Sequence, residues 1–202
     1  MSAARTTFRT AGVAVRAMLV FTLVLGIGYT ALITAIGQVA LPWQANGSPV
    51  AAADGPVGSS LIGQSFLDAD GAPLPRYFQS RPSAAGDGYD GAASSGSNFG
   101  PENPDLIAAI DERRASVAAF EGIDPAEVPA DAVTASASGL DPHVSPEYAL
   151  LQVDRVAETR GLEPATVRAL VESKLQARDP GFLGEPRVNV LELNLALDAL
   201  GR

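Results

Sequence analysis

One histidine, His143, and one lysine, Lys174, limit the chemistry that the side chains of this sequence could perform. A phosphate-cradling G-x-x-x-x-G-K-[ST] loop is absent, and Lys174 follows Ser173 on a predicted helix, so an NTPase of the usual kind is excluded. Ser95-Gly96-Ser97-Asn98 matches the S-x-N element of penicillin-recognising serine enzymes. Those enzymes also need S-x-x-K, and Val171 stands three places before Lys174, so a polar turn explains the run better. His143 could act as the base for Ser97 or Ser138 in an anchored serine hydrolase. No G-x-S-x-G elbow accompanies it, and the turn Leu140-Asp141-Pro142-His143 suits a histidine that hydrogen-bonds loop backbone. Asp68-Ala69-Asp70-Gly71 opens like a calcium loop, but Gln79 fills the twelfth position, where a bidentate glutamate is required, and a hairpin turn accounts for it. With no cysteine there is no disulfide framework and no thiolate metal site. No catalytic, cofactor or metal residue is therefore expected in this chain.

The elements around these residues begin with a hydrophobic segment. No charge occurs between Arg16 and Asp54, and the 25 residues Ala17 to Leu41 reach ~37 Å as a helix, enough to cross a hydrocarbon core of ~30 Å. Pro42 stops the helix and Trp43 suits the interfacial aromatic belt. Arg5, Arg9 and Arg16 precede the span without any acid, which predicts a cytoplasmic N-terminus and an exported remainder. A cleaved signal peptide is the alternative, since Ala51, Ala52 and Ala53 could serve a peptidase, although the apolar run exceeds the ~7–15 residues of a signal core. The chain has 14 basic and 23 acidic residues, and three of the basic ones precede the span. The exported part is therefore strongly acidic, which argues against nucleic acid and anionic lipid as partners.

The expected organisation is a tail over 1–16, a transmembrane helix over 17–41, a linker over 42–58 and one domain over 59–202. Residues 59–67 and 75–80 read as two strands of a hairpin around the Asp68–Gly71 turn. Tyr77, Phe78 and Tyr89 flank the next loop, as core residues or as a docking surface. Residues 81–104 form a long Gly/Ser/Asn/Pro segment of the kind that is either functional or disordered. Asn103-Pro104 then caps a helix with Leu106, Ile107, Ile110, Val117 and Phe120 on one face. Residues 131–143 read as extended, ending in a turn. Ser145-Pro146 opens a helix running to Gly161, and a second starts near Pro164 with Val167, Leu170, Val171 and Leu175 inward. Val190, Leu193, Leu197 and Leu200 mark a final helix. The class is α+β: one N-terminal transmembrane helix, then a single soluble exported domain with a small antiparallel sheet and several helices.

Five ordered blocks carry a family resemblance: GSSLIGQSF, YFQSRPSA, SSGSNFGPENPDL, DAVTASASGLDPHVSPEYALLQVDRVAETRGL and GFLGEPRVNVLELNLALD. They resemble the KdpC family, the accessory subunit of the bacterial Kdp potassium-transporting P-type ATPase, over nearly the whole chain. Phe99 and the spelling SSGSN depart mildly from the familiar pattern. The resemblance implies a non-catalytic subunit in the inner membrane with three partners: a potassium-carrying KdpA, an ATP-hydrolysing KdpB and a small KdpF. ATP, Mg and K would act in the complex and not on this chain. It also implies a catalytic chaperone that raises the affinity of KdpB for ATP. The absence of DKTG agrees with a phosphorylated aspartate on KdpB. The candidate partner contacts are Ser95, Ser97, Asn98 and Phe99 in the polar loop, with Asp141 and His143 in the turn.

Overall fold

The computed structural model describes residues 2–52 and 55–200, which divide into two compact units, Met1–Pro49 and Val50–Arg202. The first is helical. Helix α1 (Ser2–Phe21) continues through a wider-wound π-helical stretch, Thr22–Tyr29, into α2 (Thr30–Ala40). Residues 2–16, expected as a tail, are thus wound into the same rod. Thr7–Ala40 is long and apolar enough to span a membrane, and none of its most apolar window is buried against protein. Leu41 leaves helical geometry at φ −138°, and Pro42 starts the single turn α3 (Pro42–Ala45). The Trp43 indole N–H donates to Pro49 O at 3.0 Å, and the Asn46 amide donates to Pro42 O and Gln38.

The second unit is α+β. Strands β1 (Pro49–Ala52) and β2 (Gly55–Ser59) pair with each other across the stretch expected as a linker. A three-stranded antiparallel sheet has the order β3 (His143–Val144), β5 (Arg187–Asn189), β4 (Leu175–Gln176), with His143 opposite Asn189 and Leu175 opposite Val188. The helices are α4 (Pro104–Glu121), α5 (Ala130–Val133), α6 (Pro146–Leu151), α7 (Val153–Arg160), α8 (Pro164–Ser173) and α9 (Val190–Leu200). The starts of α4 and α6 follow the capping residues in the sequence. Asn103 Oδ1 accepts from Asp105 N at 2.8 Å, and Ser145 Oγ accepts from Tyr148 N at 3.0 Å.

Three expectations change. The helix opened by Ser145 breaks at Gln152 into α6 and α7 before Gly161 stops it. Residues 131–133, expected as the start of an extended segment, belong to α5. Leu175 leaves its helix for β4 and is exposed, as are Ile107 and Leu200 on their helices. The core gathers Phe78, Val153, Val156, Val167, Val171, Val188, Leu193 and Leu197, all essentially inaccessible.

The predicted hairpin over 59–80 does not form. Only an isolated bridge, Leu67 to Pro73, joins its arms around a turn in which Asp68 Oδ1 accepts from Asp70 N and Ala72 N. The reason lies in residues 75–79, whose backbone is satisfied by side chains instead of by a strand. Asn194 Oδ1 accepts from Phe78 N and Asn194 Nδ2 donates to Phe78 O, both at 2.9 Å. Gln152 does the same for the next residue, accepting from Gln79 N at 2.6 Å and donating to Gln79 O at 3.2 Å. Each amide thereby takes the place of one residue of a neighbouring strand.

Asn194→Leu keeps the volume but strands both Phe78 groups in the core. Each orphaned group costs ~1–3 kcal/mol, so denaturant unfolding of the full chain in detergent should show a loss of ~2–5 kcal/mol. An unchanged or higher stability would mean that the amide only fills space.

Candidate functional site

The polar loop and the LDPH turn form one hydrogen-bonded body. Ser83 Oγ donates to Gly139 O at 2.6 Å and accepts from Ala85 N and Tyr89 N. Ser95 N and Ser94 Oγ both donate to Ser138 O at 3.0 Å, and Gly63 N donates to Leu140 O at 2.9 Å. Three chain segments therefore meet backbone to backbone, and their glycines permit it. A Cβ on Gly139, whose φ is +69°, would stand 2.6 Å from Ser95 O and 2.8 Å from Ala85 Cβ. On Gly63 it would stand 2.3 Å from the Tyr89 ring. The entropy of ordering a loop poor in apolar side chains, ~1–2 kcal/mol per residue, is thus partly offset over 83–95 by internal hydrogen bonds.

Arg81 ties this body to the turn. Its Nε and Nη2 donate to Thr134 O at 3.2 and 3.1 Å, while Nη1 donates to Asp141 Oδ2 at 3.0 Å. The other oxygen, Asp141 Oδ1, meets His143 Nδ1 at 3.0 Å and accepts from His143 N at 3.1 Å. Burial pulls the Asp141 carboxyl upward, but the hydrogen bonds and charge of His143, with the charge of Arg81, outweigh it and hold it below its ordinary value. Burial also pushes the Tyr89 phenol up to about 12, so at neutral pH it stays protonated and donates to Arg81 O at 2.8 Å.

Of the six expected contact residues, Asp141 and His143 are half-buried and already partnered, and Ser95 is anchored by its backbone. Ser97, Asn98 and Phe99 form an exposed tip beyond them, with Asn98 in left-handed backbone at φ 55°. The His143–Asp141 pair supplies two of the three members of a hydrolase triad, but neither candidate serine is hydrogen-bonded to the imidazole. Ser138 Oγ faces Ser136 and accepts from Leu140 N. Sequence reasoning passed over Arg81, although a lone arginine at the start of a Gly/Ser-rich loop, far from any predicted helix, is a signal for an intraloop ion pair.

A cleft of about 590 Å³ opens beside this body, with Phe66, Phe120 and Tyr148 in its walls and Glu112 and Arg113 at its side. Among the described residues, no group of three or more His, Asp or Glu side chains is placed to hold a metal ion.

A lowered Asp141 means that the unfolded chain takes up the proton first as pH falls. The stability from this carboxylate is present above 3.8, its ordinary value, and is lost as pH drops through that value and below. The urea midpoint of Asp141→Asn should therefore sit below that of the unchanged chain by a constant gap from pH 7 to ~5, and the gap should close towards pH 3. A gap that persists at pH 3 would contradict the assignment.

Comparison with known proteins places these features in a family. The family profile described as "K+-transporting ATPase, c chain" matches residues 11–199. A protein of Kineococcus radiotolerans named potassium-transporting ATPase KdpC subunit is 56% identical over 180 residues, covering 89% of this chain and 88% of its own length. Proteins of the same name from Beijerinckia indica and Methylococcus capsulatus are 50% and 53% identical, over 90% and 91% of this chain and 89% and 94% of their own lengths. The loop, the turn and the amide-clamped core all lie inside the matched region, and this chain belongs to the KdpC family.

Proposed function

We propose that this chain is the small, non-catalytic subunit of an ATP-driven potassium uptake complex of the Kdp type. One observation carries the reading: the family match runs from residue 11 to residue 199 and so includes both the apolar helix and the domain that follows. Its partners are a KdpA-like potassium-carrying subunit, a KdpB-like P-type ATPase subunit and a KdpF-like small subunit. ATP, Mg and K act on those partners. The chain serves assembly and raises the affinity of the ATPase subunit for ATP. The Arg5, Arg9 and Arg16 tail supports a cytoplasmic N-terminus, with the acidic domain on the outer face of the plasma membrane. In that topology the domain meets little ATP, so its effect on nucleotide affinity passes through the membrane helices or the conformation of the ATPase subunit.

Topology is tested with single cysteines, Ser2→Cys and Gly201→Cys, and a membrane-impermeant maleimide on intact cells. Position 201 should label and position 2 should not; the opposite pattern would reverse the orientation.

Affinity purification of the tagged chain from detergent-solubilised membranes should recover two large membrane subunits, and their absence would refute the pump assignment. Ser97 and Asn98 belong to the exposed tip, so the double change to alanine should reduce recovery while leaving the melting temperature nearly unchanged. If the variant unfolds and recovery falls only in proportion, the tip is structural.

A further inference from the structure

The most exposed large apolar side chain of the Val50–Arg202 unit is not Phe99 of the polar loop, at 46%, but Phe182. Phe182 is 72% exposed and Leu183 57%, side by side at the end of the excursion between β4 and β5. Such neighbours on a flexible loop would carry little information. Here they are held by a second, smaller ladder beyond the sheet. Asp179 N donates to Leu183 O at 2.8 Å, Leu183 N donates to Asp179 O at 2.7 Å, and Gly181 N donates to Arg178 O at 2.8 Å. Gly181, at φ +106°, turns the chain where a side chain would be strained. Two ion pairs brace the base, Arg178 with Glu185 and Arg187 with Asp179, the latter at 2.9 Å. The backbone that carries the two apolar side chains is therefore ordered before any partner arrives, which lowers the entropy cost of docking.

We infer that the Phe182–Leu183 tip is a docking knob that inserts into an uncharged, apolar pocket on the extramembrane surface of a large subunit of the same complex. The inference rests on the pump-subunit reading and assigns it a contact surface. Charge selects the occupant. In a chain of net charge −9, the tip's two cations and two anions are matched in pairs, so it offers no field for a basic surface to recognise. What remains is an apolar centre rimmed by paired, solvated charges, the pattern of an interface anchor with its polar surround. A bilayer fits less well. Arg178, Asp179, Glu185 and Arg187 all lie within five residues of Phe182, and inserting the tip into lipid would draw them towards hydrocarbon.

The test uses the whole complex, purified through a tag on this chain, with a photo-reactive phenylalanine analogue at position 182. Illumination should join this chain to a large subunit. Phe182→Asp should lower the recovered large subunits per tagged chain about tenfold, the loss expected of an anchor residue. Its melting temperature should be unchanged, because the side chain is exposed. Cross-linking to lipid only, or full recovery with Phe182→Asp, would overturn the inference while leaving the pump reading intact. If the unchanged chain recovers no large subunit, the pump reading itself has failed.

Discussion

Residues 75–79 descend from the surface into the domain core, where Phe78 and Gln79 are buried with no strand beside them, and side chains from the surrounding helices satisfy their backbone. Asn194 from α9 and Gln152 from the junction of α6 and α7 clamp Phe78 and Gln79. Arg155 of α7 donates through Nη1 to Pro75 O and Tyr77 O, and through Nη2 to Gln152 Oε1 at 2.8 Å. That last bond decides how the Gln152 amide is turned: an oxygen facing Arg155 and Gln79 N leaves the Nε2 donors for Gln79 O. Arg160 repeats the device one turn later, donating to Arg76 O and Asp198 Oδ1, both at 2.7 Å. The helices α7 and α9 are thus joined through one non-helical segment, and Phe78 is held fully buried.

The buried Arg155 has a cost that clarifies its role. Its Nε lies 2.9 Å from Glu121 Oε2, with only 9% and 1% of the two side chains exposed, and its guanidinium stacks 4.5 Å from the Phe120 ring centre. Burial raises the Glu121 carboxyl despite the hydrogen bond and charge of Arg155, and Glu121 Oε1 has no partner among the described residues. A pair in which desolvation outweighs attraction is not kept for Coulomb energy alone. Its value is geometric. A planar cation can address four acceptors on three segments at once, and a hydrophobic replacement would take the guanidinium donor from the carbonyls of Pro75 and Tyr77, leaving Tyr77 O only the Gln79 side-chain amide at 3.3 Å.

This arrangement explains which parts of the fold were legible in the sequence. Helix starts depend on short-range chemistry, so Asn103-Pro104 and Ser145-Pro146 announced α4 and α6 correctly. The apolar spacing of Val167 with Val171 and of Val190, Leu193 and Leu197 found the core faces of α8 and α9. Pro-Arg-Tyr-Phe-Gln-Ser read as a strand because its propensities are those of a strand, but its first half forms a turn in which Tyr77 N donates to Leu74 O. What sequence could not supply was the partner, since side-chain amides 73 and 116 residues away replaced a neighbouring strand. A signal did exist. Asn194 lies on the same helical stripe as Val190 and Leu197, where an uncharged polar side chain must find a buried partner. The loop at 83–95 was opaque for a related reason: its order comes from glycines that allow backbone contact, and composition alone cannot distinguish that use of glycine from disorder.

The proposed effect on a partner's affinity for nucleotide requires binding one of that partner's conformations more tightly than another. A tenfold effect needs a difference of ~1.4 kcal/mol, no more than one well-buried apolar anchor supplies. What such a device does need is stiffness, because a contact on a compliant domain would be absorbed before it reached the partner. The clamped segment at 75–79 and the hydrogen-bonded loop and turn are stiff for reasons already present in the free chain. Arg81 and Asp141 link the clamped segment to the turn on which the loop rests, since Arg81 follows the clamped residues by two positions and the loop is fastened to that turn as far as Ser95. In the proposed complex, the polar network is therefore the scaffold that lets surface contacts transmit a preference between conformations, and the few exposed apolar side chains are the points at which that preference is expressed.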